Sequence, residues 1–101
     1  MIYTQYQVIP QQLTGLYSAA LVTTIPFNTY TVQVLANGGT SIYNSISLYK
    51  GGTCVGGGGI LQAPNSSTPT SKTYNGLTAG SYYYEIVDSN NCTYCNSFTL
   101  A

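Results

Sequence analysis

Three cysteines, two carboxylates and two amines are the side chains of this chain best suited to ligating a metal, moving a proton or attacking a substrate: Cys54, Cys92, Cys95, Glu85, Asp88, Lys50 and Lys72. There is no histidine. Cys92 and Cys95 have the C-x-x-C spacing of half a zinc site or of a redox pair. Structural zinc takes four ligands, and Cys54 is the only further thiol. A thioredoxin-like pair stands where a strand runs into a helix, and no helical period follows Cys95. Two structural readings remain: a disulfide from Cys54 to Cys92 or Cys95 that ties a glycine-rich loop to the last hairpin, or three unpaired thiols. The Cys54 bridge is the favoured of the two. Glu85 and Asp88 could be imagined as a glycosidase pair, but that chemistry needs a cleft and one raised pKa. Their places, in an alternating strand and at the turn after it, suit a solvated residue and a turn cap. Serine and threonine nucleophiles need a neighbouring base, which a chain without histidine does not readily supply. Gly56–Gly59 is followed by no Lys-Ser/Thr pair and no helix, so it reads as a loop tip or a place of close backbone approach rather than a phosphate cradle. The sequons Asn65-Ser66-Ser67 and Asn91-Cys92-Thr93 are matches that an Asn/Ser/Thr-rich chain produces by chance. The expectation is a protein that is not an enzyme and uses no metal or cofactor.

The composition carries the same message. Charged residues make up 4 % of the 101, net charge is zero, and there are 11 tyrosines. Ordinary domains carry roughly 25 % Asp, Glu, Lys and Arg, so this surface must be built from hydroxyls, amides, glycine and aromatic rings. Zero net charge excludes a basic nucleic-acid footprint and electrostatic attraction to anionic lipid. The longest apolar stretch, about Leu16 to Val22, is broken by Ser18 and is far too short to span a bilayer. The amino end shows no basic segment followed by an apolar run and cleavage site, so no secretory leader is read there. Neutral surfaces associate readily because nothing repels them.

The elements that must position these groups are strands. Residues 1–101 suit a single domain, and a hydrophobic content of 44 % suits a folded one. Phe27–Leu35 alternates, with Tyr30, Val32 and Val34 on one face. Asn37-Gly38-Gly39 follows as a hairpin signal, and Ile42–Tyr49 returns with Ile42, Ile46 and Leu48 on one face; these two runs are expected to pair. Ile2–Ile9 and Leu16–Ile25 are expected strands divided by Thr14-Gly15. Lys50–Ser71 reads as a long loop with at most a short strand at Gly59–Gln62. Lys72–Tyr74, Ser81–Val87 and Asn96–Leu100 complete the set. No segment has capped helical spacing. Six to eight short strands with turns every 8–12 residues mean an antiparallel β-sandwich or barrel. Tyr82 and Tyr84 are assigned to the core. Tyr43, Tyr49, Tyr83 and either Tyr94 or Tyr3 fall on the opposite faces, where rigid amphipathic rings could anchor a partner or stack on sugars.

Tyr74–Cys92, YNGLTAGSYYYEIVDSNNC, carries Leu77, Gly80, Tyr82, Tyr84, Ile86, Asp88, Cys92 and then Thr93 in a pattern that resembles the terminal hairpin of immunoglobulin-like and fibronectin-like modules. It is most similar to bacterial surface-adhesin repeats, and such modules also occur in phage decoration, head-fibre and tail proteins. The resemblance covers about the last third of the chain. It implies an immunoglobulin-like, fibronectin-like or jelly-roll-like sandwich. Leu77 would anchor one strand end, Gly80 would permit the corner, and the Tyr82 hydroxyl would tie back to nearby backbone as in a tyrosine corner. It also raises an intramolecular isopeptide bond from Lys50 or Lys72, with an Asn and Glu85, against which solvated lysines are the plainer reading. The functional expectation is a virion structural protein, assembled in the host cytoplasm and working through uncharged tyrosine-rich strand faces with itself or other virion proteins. The alternative expectation is an extracellular adhesin or filament module that binds host glycan or protein. Neither involves nucleic acid or insertion into a membrane.

Overall fold

The computed structural model describes residues 12–39 and 42–101. Among the described residues it is an all-β fold of eight strands with no helix: β1 (Thr14–Thr23), β2 (Thr29–Asn37), β3 (Ser45–Lys50), β4 (Ile60–Leu61), β5 (Ser66–Thr68), β6 (Ser71–Thr78), β7 (Gly80–Val87) and β8 (Thr93–Leu100). Two four-stranded antiparallel sheets are ordered β1-β2-β6-β5 and β4-β3-β7-β8. Together they form a small β-sandwich. The strand expected at Ile2–Ile9 lies outside the described residues.

The inward rows of the two sheets make one core. Val32 and Val34 of β2, Tyr74 and Leu77 of β6, Ile46 and Leu48 of β3, Tyr82, Tyr84 and Ile86 of β7, and Phe98 and Leu100 of β8 are all buried. Alternation fixes most of this, because residues two apart share a face; in β6 the pairing with β2 shifts between Tyr30 and Val32, which brings Tyr74 and Leu77, three apart, to the same side.

The expected pairing of Phe27–Leu35 with Ile42–Tyr49 does not form. β2 lies between β1 and β6, whereas β3 lies between β4 and β7 in the other sheet. Asn37-Gly38-Gly39 begins a crossover between sheets instead of closing a hairpin. The physical reason is that β2 and β3 each have a buried apolar row on the inner face, Val32 and Val34 in one and Ile46 and Leu48 in the other. Facing each other across the sandwich, these rows bury one another; side by side, they would both still need a cover. Ile42 does not belong to β3. It sits at φ 70° and is exposed, and the strand begins at Ser45. The segment expected to be almost all loop also holds β5, which pairs with β6.

Two corners are tied by side chains. Between β6 and β7, which lie in different sheets, the Tyr82 hydroxyl donates to the Thr78 carbonyl at 2.6 Å, with Gly80 at φ 149° allowing the change of direction. At the β7–β8 turn, the buried Asp88 carboxylate accepts from the Asn90 and Cys92 amides at 3.0 and 2.9 Å. Asn91 takes the left-handed conformation that closes the turn, which asparagine tolerates better than most residues.

Candidate interaction surface

The reactive groups are dispersed. Cys54 is bonded to Cys95, and Cys92 is free and exposed. Glu85 stands on β7 between Ser47 and Cys95 of the flanking strands, while Asp88 is committed to its turn. The Lys50 amine donates to the Thr78 hydroxyl and lies 5.7 Å from the centre of the Tyr82 ring, a cation–π distance. Among the described residues no group of three or more His, Cys, Asp or Glu side chains is arranged to hold a metal ion. One cleft, of about 340 Å³, is lined by Ile46, Leu61, Pro64, Lys72 and Tyr74 among others. A second, of about 300 Å³, lies between Gly52-Thr53 and the Phe98 stretch of β8. Neither brings a carboxylate to an amine.

The four tyrosines expected to face a partner are turned to other uses. Tyr43 is half-buried against the core, and its hydroxyl donates to the Gly38 carbonyl at 2.8 Å. Tyr94 shares the inward row of β8 and packs on the core beside Tyr84, with ring centres 6.2 Å apart. Tyr49 and Tyr83 do lie on the outer face of their sheet, where their rings stack at 4.8 Å, but Tyr83 is only 5 % exposed. The cover over Tyr83 is the glycine-rich loop after β3. Cys95 points outward from β8, so its bond to Cys54 fastens that loop across the outer face of β7. Two glycines let the loop lie flat. A Cβ on Gly59 would come within 2.8 Å of the Gly51 carbonyl and of the Tyr49 and Tyr83 side chains, and one on Gly52 would meet the Gly57 and Gly59 backbone. The loop is therefore a lid on an aromatic pair, not a free tip.

The exposed apolar side chains gather elsewhere. Among the described residues β1 pairs only with β2, which leaves its other edge, ten residues long, without a strand partner among them. Apart from its first two residues the strand is exposed throughout. Leu16 and Val22 are each 61 % exposed, Leu21 and Tyr17 are about half so, and the following turn adds Ile25 and Phe27. Tyr17 and Leu21 are on the row that faces the second sheet, and Tyr17 stacks on Phe98 with ring centres 4.2 Å apart. Gly15 and Tyr17 rest on Tyr84 and its neighbours in the second sheet, whereas the strand from Ser18 onward stays exposed. No charge and no proline interrupts Thr14–Thr23, although the pairing with β2 shifts between Leu21 and Thr23. Native edges are usually blunted by lysine, proline, bulges or brevity; among the described residues this one has a bulge near its end and nothing else. The signal was present in the sequence, since LYSAALV carries apolar groups on both faces of a strand where a half-buried one alternates.

Buried phenols give the fold a measurable pH limit. Burial pushes Tyr74 up to about 12, with the nearby Tyr49 phenol adding to the rise, and burial likewise raises Tyr84. Both stay protonated in the fold, whereas in the unfolded chain they ionise near the ordinary value of about 10. Their contribution is complete below pH 10 and is lost as pH climbs through the raised values. The melting temperature should fall between pH 10 and 12 in step with tyrosinate absorbance; a flat melting temperature across that interval would show the phenols to be solvated.

No family model, curated protein or solved structure matches this chain.

Proposed function

We propose that this protein is a non-enzymatic structural subunit, in its most specific form a component of a bacteriophage particle such as a capsid decoration, head fibre or tail protein. The observation that carries the reading is the outer edge of β1, unpaired among the described residues: ten uncharged residues with apolar side chains on both faces. A long, apolar, unblocked edge is a liability in a free monomer and an asset in a subunit whose edge is covered once it is in place. The near absence of charge supports the same reading, because contacts made by backbone, methyl groups and rings do not weaken as salt screens charges. The tyrosine faces of the sequence reading give way here to the β1 edge as the contact.

The test is sedimentation of the purified protein over a concentration series, paired with mass spectrometry of intact particles from the producing host. Association that persists from low salt to about 1 M, where the screening length is only about 3 Å, is the expected result, together with recovery of the chain in the particles. A monomer at every concentration that is also missing from the particles would overturn the proposal, as would an assembly that falls apart steeply with salt.

A further inference from the structure

We infer that the partner of the β1 edge is β1 of a second copy, joined about a two-fold axis at Ala19 so that the two four-stranded sheets become one of eight. This deepens the assembly reading and rests on it.

The ladder inside the monomer fixes which groups are free. The Ala36 amide donates to the Thr70 carbonyl at 2.8 Å, so Ala36 turns its peptide groups toward β6. In an antiparallel ladder alternate residues serve opposite neighbours. Leu35, Gln33 and Thr31 therefore serve β1, where they stand opposite Leu16, Ser18 and Ala20. The peptide N–H and C=O groups of Tyr17, Ala19 and Leu21 are left facing outward. A strand meeting its own copy about a two-fold axis on Ala19 makes Ala19 and its counterpart a hydrogen-bonded pair, and places Tyr17 and Leu21 of each copy opposite each other as two further such pairs. Every outward peptide group from Tyr17 to Leu21 is satisfied.

The side chains select this register over its neighbours. Centred on Ala19, Tyr17 stands opposite Leu21 and Leu16 opposite Val22, so all four large apolar side chains of the strand meet another large apolar one. Centred on Ser18, Leu16 meets Ala20, Tyr17 meets Ala19, Leu21 meets Gly15 and Val22 meets Thr14. Centred on Ala20, Tyr17 meets Thr23 and Val22 meets Ser18. Cross-strand apolar pairs are the unit of sheet stabilisation, and a two-fold contact must be self-complementary. The Ala19 register meets both demands. No charge on β1 opposes it.

The register is tested by cross-linking and by charge. In a Cys92→Ser background, Ala19→Cys should give a disulfide-linked dimer on mild oxidation, because directly opposed residues lie about 5.5 Å apart at Cα. Ser18→Cys in the same background should not, because its counterpart is displaced along the strand by two residues. Ala19→Lys and Ala19→Glu should each abolish dimerisation in sedimentation, since like charges directly opposite are destabilising, and each should still melt cooperatively, at the temperature of the dilute, undimerised wild type. An equimolar mixture of the two should restore a one-to-one dimer. If wild type self-associates but Ala19→Lys associates equally well, or Ala19→Cys fails to cross-link, the Ala19 register is wrong and the assembly reading stands. If wild type is monomeric in solution yet present in particles, the second-copy inference falls alone. If it is in neither, both fall.

Discussion

Replacing Cys54 by serine is expected to lower the unfolding free energy by about 4 kcal/mol, the value the chain-entropy relation gives for a closed loop of this size. The bond spans 41 residues and is the one covalent tie between the glycine-rich loop and β8. Without it the unfolded chain regains the freedom of that loop, and the fold loses whatever holds Gly51–Gly59 over Tyr83. A domain of this size has about 5–15 kcal/mol to lose, so the variant should still fold while its urea midpoint drops sharply. Reductant should reproduce the loss in wild type and leave Cys54→Ser unchanged. Cys92→Ser should sit within about 0.5 kcal/mol of wild type, as exposed substitutions do, since Cys92 is unbonded and exposed. A midpoint that ignores both the substitution and the reductant would mean that packing alone seats the loop.

Tyr84→Ala should cost about 4 kcal/mol, within the range for deleting a large buried aromatic side chain. Tyr84 is fully buried, and its ring lies 6.1 to 6.3 Å from those of Tyr17, Tyr94 and Phe98. Gly15 exists in glycine form for the same reason: a Cβ there would sit 2.8 Å from the Tyr84 ring and 2.6 Å from the Ile86 methyl. Tyr84 is thus the floor on which β1 rests. Tyr84→Phe keeps the ring and gives up only the hydroxyl contacts to Asn96 and Tyr94, and should cost about 1 kcal/mol. Equal losses in the two variants would show that the hydroxyl, not the ring, carries the energy. Hydrogen exchange at the Leu16, Ser18 and Ala20 amides should rise in Tyr84→Ala more than at β6, because the void opens beneath β1.

The inner rows of the sandwich were readable from sequence because strand period is strict. Val32 and Val34, Ile46 and Leu48, and Tyr82, Tyr84 and Ile86 follow from alternation alone. Pairing was not readable, since alternation says which face is apolar but not whether two such faces lie side by side or stacked. The Asn37-Gly38-Gly39 turn suits a hairpin and a crossover equally. For the interaction surface the reading erred through an assumption about facing. Tyr83 does point away from the core, but a loop whose contacting residue, Gly59, stands 24 residues earlier covers it, and the covering depends on a disulfide and on Gly52 and Gly59 packing flat. No local pattern encodes that. Leu16–Val22 was legible as an apolar run, yet its meaning lies in the topology, which leaves β1 at an edge among the described residues and exposed from Ser18 onward.

Of the three cysteine sulfurs, two are locked together and the third, on Cys92, stands in water at the tip of the β7–β8 turn. The molecule therefore arrives with a single free thiol as a handle. A maleimide-linked gold cluster placed there marks one end of every subunit, and in micrographs of a particle the pattern of marks would report how the subunits are oriented and which way their sheets run.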